Sequence, residues 1–176
     1  IIGIAKTGSG KTAAFVIPAL LHCLNQIKLG IQEPYVLVLS PTRELAMQIG
    51  DVVHRFEKAT LSGDTGIEMR IATIIGGMPR REQIEQCKKN PHIIIAVPGR
   101  LMDFIYNKIV DLSHISYLVI DEADRMLEMN FEQNIKDIVR LVQKNRQTLM
   151  WSATWPKEVR LLASDFLTDQ VTVVIG

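Results

Sequence analysis

Short apolar runs rich in β-branched residues recur along the chain, at residues 1–5, 35–39, 70–75, 92–97, 117–120, 148–151 and 171–175. Inside each run neighbouring positions are apolar with little alternation, the pattern of strands covered on both faces. Between the runs lie stretches with helical spacing, at 11–27, 43–59, 80–88, 99–106, 131–142 and 157–165. Strand–helix alternation predicts right-handed βαβ units. The fold class expected is therefore α/β, a doubly wound and mostly parallel sheet of about seven strands with helices on both faces. Residues 60–66, with Gly63, Asp64 and Gly66 close together, read as an exposed loop. Ligands of open α/β sheets gather beyond the carboxyl ends of the strands. Nearly every polar cluster below directly follows a strand candidate, so the clusters should line one edge.

Composition adds limits. The 176 residues, 47% hydrophobic and 22% charged, suit one globular domain with a sizeable core. A net charge of +1 gives no global field for a polyanion, so a nucleic-acid role must come from local sites. Cys23 and Cys87 stand apart, and His22, His54, His92 and His114 are scattered singly, which argues against a metal knuckle. Reduced cysteines and the lack of an apolar run long enough to span a bilayer point to an intracellular protein away from membranes. The chain starts without Met, runs straight into a glycine-rich motif and stops after an apolar run, so residues 1–176 are expected to be one excised domain.

The first motif is Ala5-Lys6-Thr7-Gly8-Ser9-Gly10-Lys11-Thr12, between a strand and a helix. Gly8 and Gly10 let the loop curl so that backbone N–H groups point at phosphate oxygens, and the helix N-terminus adds partial positive charge. Lys11 can reach the terminal phosphates and the Thr12 hydroxyl can ligate Mg²⁺. The strict phosphate-loop pattern has Gly where this chain has Ala5. Further on, Tyr117-Leu118-Val119-Ile120 runs into Asp121-Glu122-Ala123-Asp124. In a nucleotide hydrolase the first carboxylate, Asp121, would hold the metal and the second, Glu122, would polarise the attacking water. Acids after a strand also suit a solvated loop or a helix start; the phosphate loop upstream favours the catalytic reading.

These two motifs together resemble the DEAD-box family of RNA helicases. Other segments fit the resemblance in the family's order: Pro41-Thr42-Arg43-Glu44-Leu45-Ala46 is similar to motif Ia, Gly76-Gly77 to the glycine doublet, Pro98-Gly99-Arg100 to three residues of motif Ib, and Ser152-Ala153-Thr154 to motif III. Ser152-Ala153-Thr154 running on into Trp155-Pro156 resembles one subfamily. The resemblance implies a RecA-like P-loop NTPase domain with ATP and Mg²⁺ as cofactors. It implies that Ser152 and Thr154 bond to Asp124 and couple the ATP side to the RNA side; the residues alone equally allow two hydroxyls ending a strand. It further implies an adenine-recognising segment and a second RecA-like domain, neither within these 176 residues. RNA and that second domain are the expected partners, the protein being a monomer of the nucleus or cytoplasm.

Arg43 and Arg100 each sit at the start of a predicted helix, where a cation and free N–H groups make a phosphate seat. Gly76 and Gly77 allow a backbone to approach closely. No aromatic platform for stacking bases is evident, so binding should follow sugar and phosphate with little sequence preference. Two positions depart from the family pattern: Val97 stands where Thr is usual, removing a hydroxyl, and Asn130 stands where Gly is common, although Asn tolerates a left-handed turn. The basic run Arg80, Arg81, Lys88 and Lys89, interleaved with Glu82 and Glu85, reads as a solvated helix face. Rival readings are an RNA clamp without turnover, a P-loop kinase or GTPase-like switch, and a double-stranded DNA translocase. Retention of Glu122 argues against the first. No guanine-reading or lid segment supports the second, and the pairing of Asp-Glu-Ala-Asp with Pro-Thr-Arg-Glu-Leu-Ala favours RNA over the third.

Overall fold

The structure, a computed structural model, describes residues 1–6, 8–61 and 68–175. Seven strands, β1 (Ile2–Ala5), β2 (Val36–Leu39), β3 (Ile71–Ile74), β4 (Ile93–Ala96), β5 (Tyr117–Ile120), β6 (Gln147–Ser152) and β7 (Thr172–Ile175), form one sheet in the order β3-β4-β2-β5-β6-β1-β7. Every pairing is parallel. The helices are α1 (Lys11–Lys28), α2 (Arg43–Leu61), α3 (Arg80–Lys88), α4 (Pro98–Tyr106), α5 (Ala123–Glu128), α6 (Glu132–Leu141) and α7 (Lys157–Phe166).

The strand order decides which face each helix covers. Parallel crossovers are right-handed, so reversing the direction of travel across the sheet moves the connecting helix to the other face. From β1 to β2 to β3 the chain moves one way, carrying α1 and α2; from β3 onward it moves back, carrying α3 to α7. The core divides accordingly. Val36, Val38, Ile93, Ile95, Val119 and Trp151 pack on Phe15, Val16 and Leu20 of α1 and on Ile49 and Val53 of α2. Leu37, Leu39, Ile74, Ile94, Leu118 and Ile120 pack on Leu101 and Phe104 of α4, Ile135 and Ile138 of α6 and Leu162 of α7. Both clusters are fully removed from water, worth about 1.5–3 kcal/mol for each large side chain.

The acidic motif opens a helix, one of the two settings its sequence allowed, because Ala123 and Asp124 begin the short helix α5. Two expectations need correction. The last apolar run forms β7, but none of its four residues is buried; among the described residues it pairs only with β1, at the sheet edge. Helix α2 continues through Thr60 to Leu61, into the expected loop, and residues 62–66 of that loop lie outside the described residues. Asn130 does adopt a left-handed φ of 61°. Among the described residues no helix is long and apolar enough to cross a membrane.

Candidate nucleotide and nucleic-acid sites

All strands being parallel, the segments following β1 to β6 emerge at one edge of the sheet. At β1, Ala5 is buried and paired with Ile175, and it is not among the residues with positive φ, so the strict pattern's Gly is not needed there. Gly8 and Gly10 have φ of 84° and 87°, and a Cβ on either would meet no protein atom within 4 Å. Their requirement is conformational, and the space above them is free for a ligand. The Ser9 amide donates to the Lys6 carbonyl at 3.3 Å, curling the loop, and α1 starts at Lys11 with Gly10 as its cap and no side-chain capping bond. Its first amides are thus left for an anion. Thr12 is half-buried on the first turn of α1; Thr7 lies outside the described residues.

Lys11 is the decisive residue. It is only 7% exposed, and its Nζ is enclosed with no hydrogen-bond partner. A buried ammonium without a partner is costly, and such groups mark sites where a charge is supplied from outside. Asp121, two strands away at the end of β5, is 3% exposed. Burial above all, with the Glu122 and Asp124 charges, raises its carboxyl to about 6 against the opposing pull of Lys11. Lys11 and Asp121 therefore sit within electrostatic reach of one another. Asp121 Oδ1 also accepts the Glu122 amide at 3.0 Å.

Glu122 adopts a left-handed conformation, φ 52° and ψ 54°, as the residue preceding α5. Such a backbone is strained for a side chain larger than Asn and persists where the surroundings impose it. One carboxylate oxygen, Oε2, is enclosed without a hydrogen bond, although the Arg125 guanidinium stands 3.5 Å away as an ion pair of poor geometry. An unsatisfied cation, an unsatisfied carboxylate oxygen and a buried acid on one edge fit a magnesium-bound polyphosphate: Lys11, the loop amides and Thr12 toward the phosphates, Asp121 toward the metal.

Asp124 lies at the junction with β6. Burial alone would raise its carboxyl, but the Thr154 hydroxyl and amide, donating to Oδ2 at 2.7 and 2.9 Å, and the Arg125 amide, donating to Oδ1 at 3.0 Å, hold it below the usual carboxylate range. The Asp124 amide donates to Ser152 Oγ at 3.3 Å. Thr154 thus holds the Asp124 carboxylate, and Ser152 holds its backbone amide.

Further along the edge, Arg43 opens α2, with Pro41 buried and Thr42 accepting the Leu45 amide at 3.3 Å. Arg43 Nη1 donates to the Gly77 carbonyl at 3.4 Å. Gly77 has φ 74°, and a Cβ on it would collide with that guanidinium. The close approach expected at the doublet is therefore filled at Gly77 by the chain's own Arg43, while Gly76 faces open space. Arg100, in the first turn of α4 after Pro98 and exposed Gly99, donates to the Ile75 carbonyl at 3.4 Å and pairs with Asp103 at 3.5 Å. Val97 precedes α4 with no side-chain capping bond, the structural consequence of the missing hydroxyl. The motifs following β2, β3 and β4 therefore converge into one cluster. On α3, Arg80 reaches Asp103 and Lys88 pairs with Glu85, all of them well exposed, as a solvated face requires.

Sequence reasoning missed Gln83. It is 1% exposed and bonds three backbone groups of the turn carrying Gly76 and Gly77. Its only signal was a polar residue on the inner side of α3. Away from the motifs, a concavity of about 440 Å³ at the opposite edge is lined by Glu33, Asn90, Lys108 and Asp111 among others, with no motif residue. Among the described residues no cluster of His, Cys, Asp and Glu could hold a metal ion by itself.

Fold and loop together define a RecA-like domain of the P-loop NTPase class. Residues 1–162 match the DEAD/DEAH box helicase family, and the chain belongs to it. It is 48% identical to the ATP-dependent RNA helicase DBP2 of Chaetomium thermophilum and 48% identical to DEAD-box ATP-dependent RNA helicase 30 of Arabidopsis thaliana, in each case across 100% of this chain. It spans only 31% and 29% of those two proteins. Among solved structures, a yeast DEAD-box splicing factor superimposes with a TM-score of 0.90 at 32% identity, covering 100% of this chain and 42% of the other. A DEAD box protein of Methanococcus jannaschii does so with 0.83 at 34%, covering 98% and 44%.

Proposed function

We propose that this chain is the ATP-binding RecA-like domain of an ATP-dependent RNA helicase, working with a second domain of similar fold to bind RNA and remodel it. The observation that carries the reading is the buried, unpartnered ammonium of Lys11 within electrostatic reach of Asp121, at the edge that also bears Glu122, Arg43 and Arg100. In this reading Ala5, Lys6, Thr7, Gly8, Ser9 and Gly10 wrap the phosphates, Lys11 neutralises their charge, and Thr12 and Asp121 hold Mg²⁺. Bound Mg²⁺ would spread positive charge over the phosphate oxygens as the terminal phosphoryl group departs. Glu122 orients the attacking water and takes its proton. Asp124, gripped by Ser152 and Thr154, makes the end of β6 sensitive to the state of the acidic motif. Pro41, Thr42, Arg43, Gly76, Gly77, Pro98, Gly99 and Arg100 lie along the RNA sugar-phosphate backbone and read no bases. The protein acts as a monomer inside the cell, in nucleus or cytoplasm.

In the full-length protein, Glu122→Gln is expected to preserve ATP binding and to lower RNA-stimulated hydrolysis by roughly 10²–10⁴. An unchanged turnover rate removes Glu122 from that role. The 176-residue polypeptide alone should show almost no RNA-stimulated hydrolysis, since arginines supplied by a second domain can contribute about 10³–10⁵ in rate. Brisk turnover by it alone would refute the two-domain reading.

A further inference from the structure

Strand β3 is the sheet's first edge, so its outward backbone groups have no neighbouring strand. Two glutamines three residues apart on α3 take that place. Gln86 Oε1 accepts the Thr73 amide at 2.9 Å, and Gln83 Oε1 accepts the Ile75 amide at 3.0 Å, two residues further along. Gln83 does more than its partner. Its Nε2 also donates to the Ile75 carbonyl at 3.0 Å and to the Met78 carbonyl at 3.2 Å, so one buried amide fixes both ends of the turn that contains Gly76 and Gly77. Both arginines of the cluster rest on that same turn: Arg100 on the Ile75 carbonyl and Arg43 on the Gly77 carbonyl.

We propose that Gln83 is a positioning residue for the RNA-backbone site, the brace that aligns Arg43 and Arg100 through the Gly76–Gly77 turn. The inference rests on the proposed RNA-binding function. A turn with two glycines, one in a left-handed conformation, has little stiffness of its own. Hydrogen bonds to both its flanks convert it into a fixed shelf, and the two guanidinium groups inherit its geometry. The amide group suits the task because it offers an acceptor to an N–H and donors to two carbonyls; no carboxylate or hydroxyl supplies that set. Gln86, which bonds only the strand and not the turn, is a built-in control.

The test compares Gln83→Leu, Gln86→Leu, Arg43→Ala and Arg100→Ala in the full-length protein. Affinity for single-stranded RNA is followed against salt concentration, alongside affinity for ADP and melting temperature. Gln83→Leu is expected to weaken RNA binding about tenfold and to reduce the salt slope by about one, the change expected when a phosphate contact is lost. ADP affinity should stay unchanged, and Gln86→Leu should lower the melting temperature without altering RNA binding. Combined with Arg43→Ala and Arg100→Ala, Gln83→Leu should add no further loss, because residues acting through one another are not additive. Equal RNA losses in the two leucine variants, a fully additive loss, or no loss in Gln83→Leu alone would each overturn the proposal while leaving the RNA site in place. Unchanged RNA affinity in both arginine variants would instead refute the RNA reading, and the brace with it. Should Gln83→Leu fail to fold, Gln83→Glu, which keeps the size but loses both donors, is put through the same comparison with the same outcomes.

Discussion

His92 is buried at the start of β4, its ring stacked on Tyr35 with centroids 5.8 Å apart and its Nδ1 accepting the Arg70 amide at 3.1 Å. Burial, helped by the nearby Arg70 charge, pushes its pKa down from 6.5 to about 4 against the opposing pull of Glu33 and Glu57. Between those values the unfolded chain binds the proton and the folded one does not, so stability is present in full above 6.5 and is lost as pH falls toward 4. The loss is on the order of 2 kcal/mol once solvent screening near the ring is allowed for. Urea unfolding of His92→Gln at several pH values between 7 and 4 should therefore show a shallower decline than the parent; equal slopes would exclude His92 as the cause. At this scale the sequence told much about the edge and little about what lies beneath it. Lys11, Asp121 and Arg43 were legible because their chemistry demands fixed neighbours in the chain. Gln83 and His92 were not, since a polar residue on a helix or beside a strand looks the same whether it faces water or a backbone amide elsewhere in the chain.

Helix α4 shows what one missing hydroxyl does to an element. Val97 has the extended backbone of a capping residue but no side-chain acceptor for the first free amides of the helix. Val97→Thr should supply one at nearly constant volume and stabilise the domain by about 0.5–1 kcal/mol, read as a rise in the unfolding free energy. A loss of stability would mean that the half-buried site cannot accept a hydroxyl. Element types were otherwise readable from the chain, because continuous apolar runs and helical spacing leave little choice in a two-sided sheet. Helix α5 escaped because its six residues are too short for a period to register and begin inside a motif already read as chemistry. The exposure of β7 escaped as well. Its apolar sequence is that of a covered strand, and only the strand order puts it at an edge with no helix against it.

At the scale of the 176-residue chain, β7 is an apolar edge strand in contact with water, with Val174 71% exposed. Unprotected edges of this composition template strand pairing between chains. Val174→Lys in the 176-residue polypeptide should raise the concentration at which light scattering first appears, while shifting its unfolding free energy by no more than about 0.5 kcal/mol. Unchanged scattering would show that association proceeds through another surface.

The strand order carries one more consequence. Only β6 separates β5, which ends in the acidic motif, from β1, which ends in the glycine loop. Two inter-strand spacings set that gap at about 10 Å. The strand acting as spacer is also the one whose tip, Ser152 to Thr154, grips Asp124. A slide of β6 along its own axis would thus loosen the grip on Asp124 while leaving the gauge between cation and carboxylates unchanged, since that gauge is set by the lateral spacing of the strands.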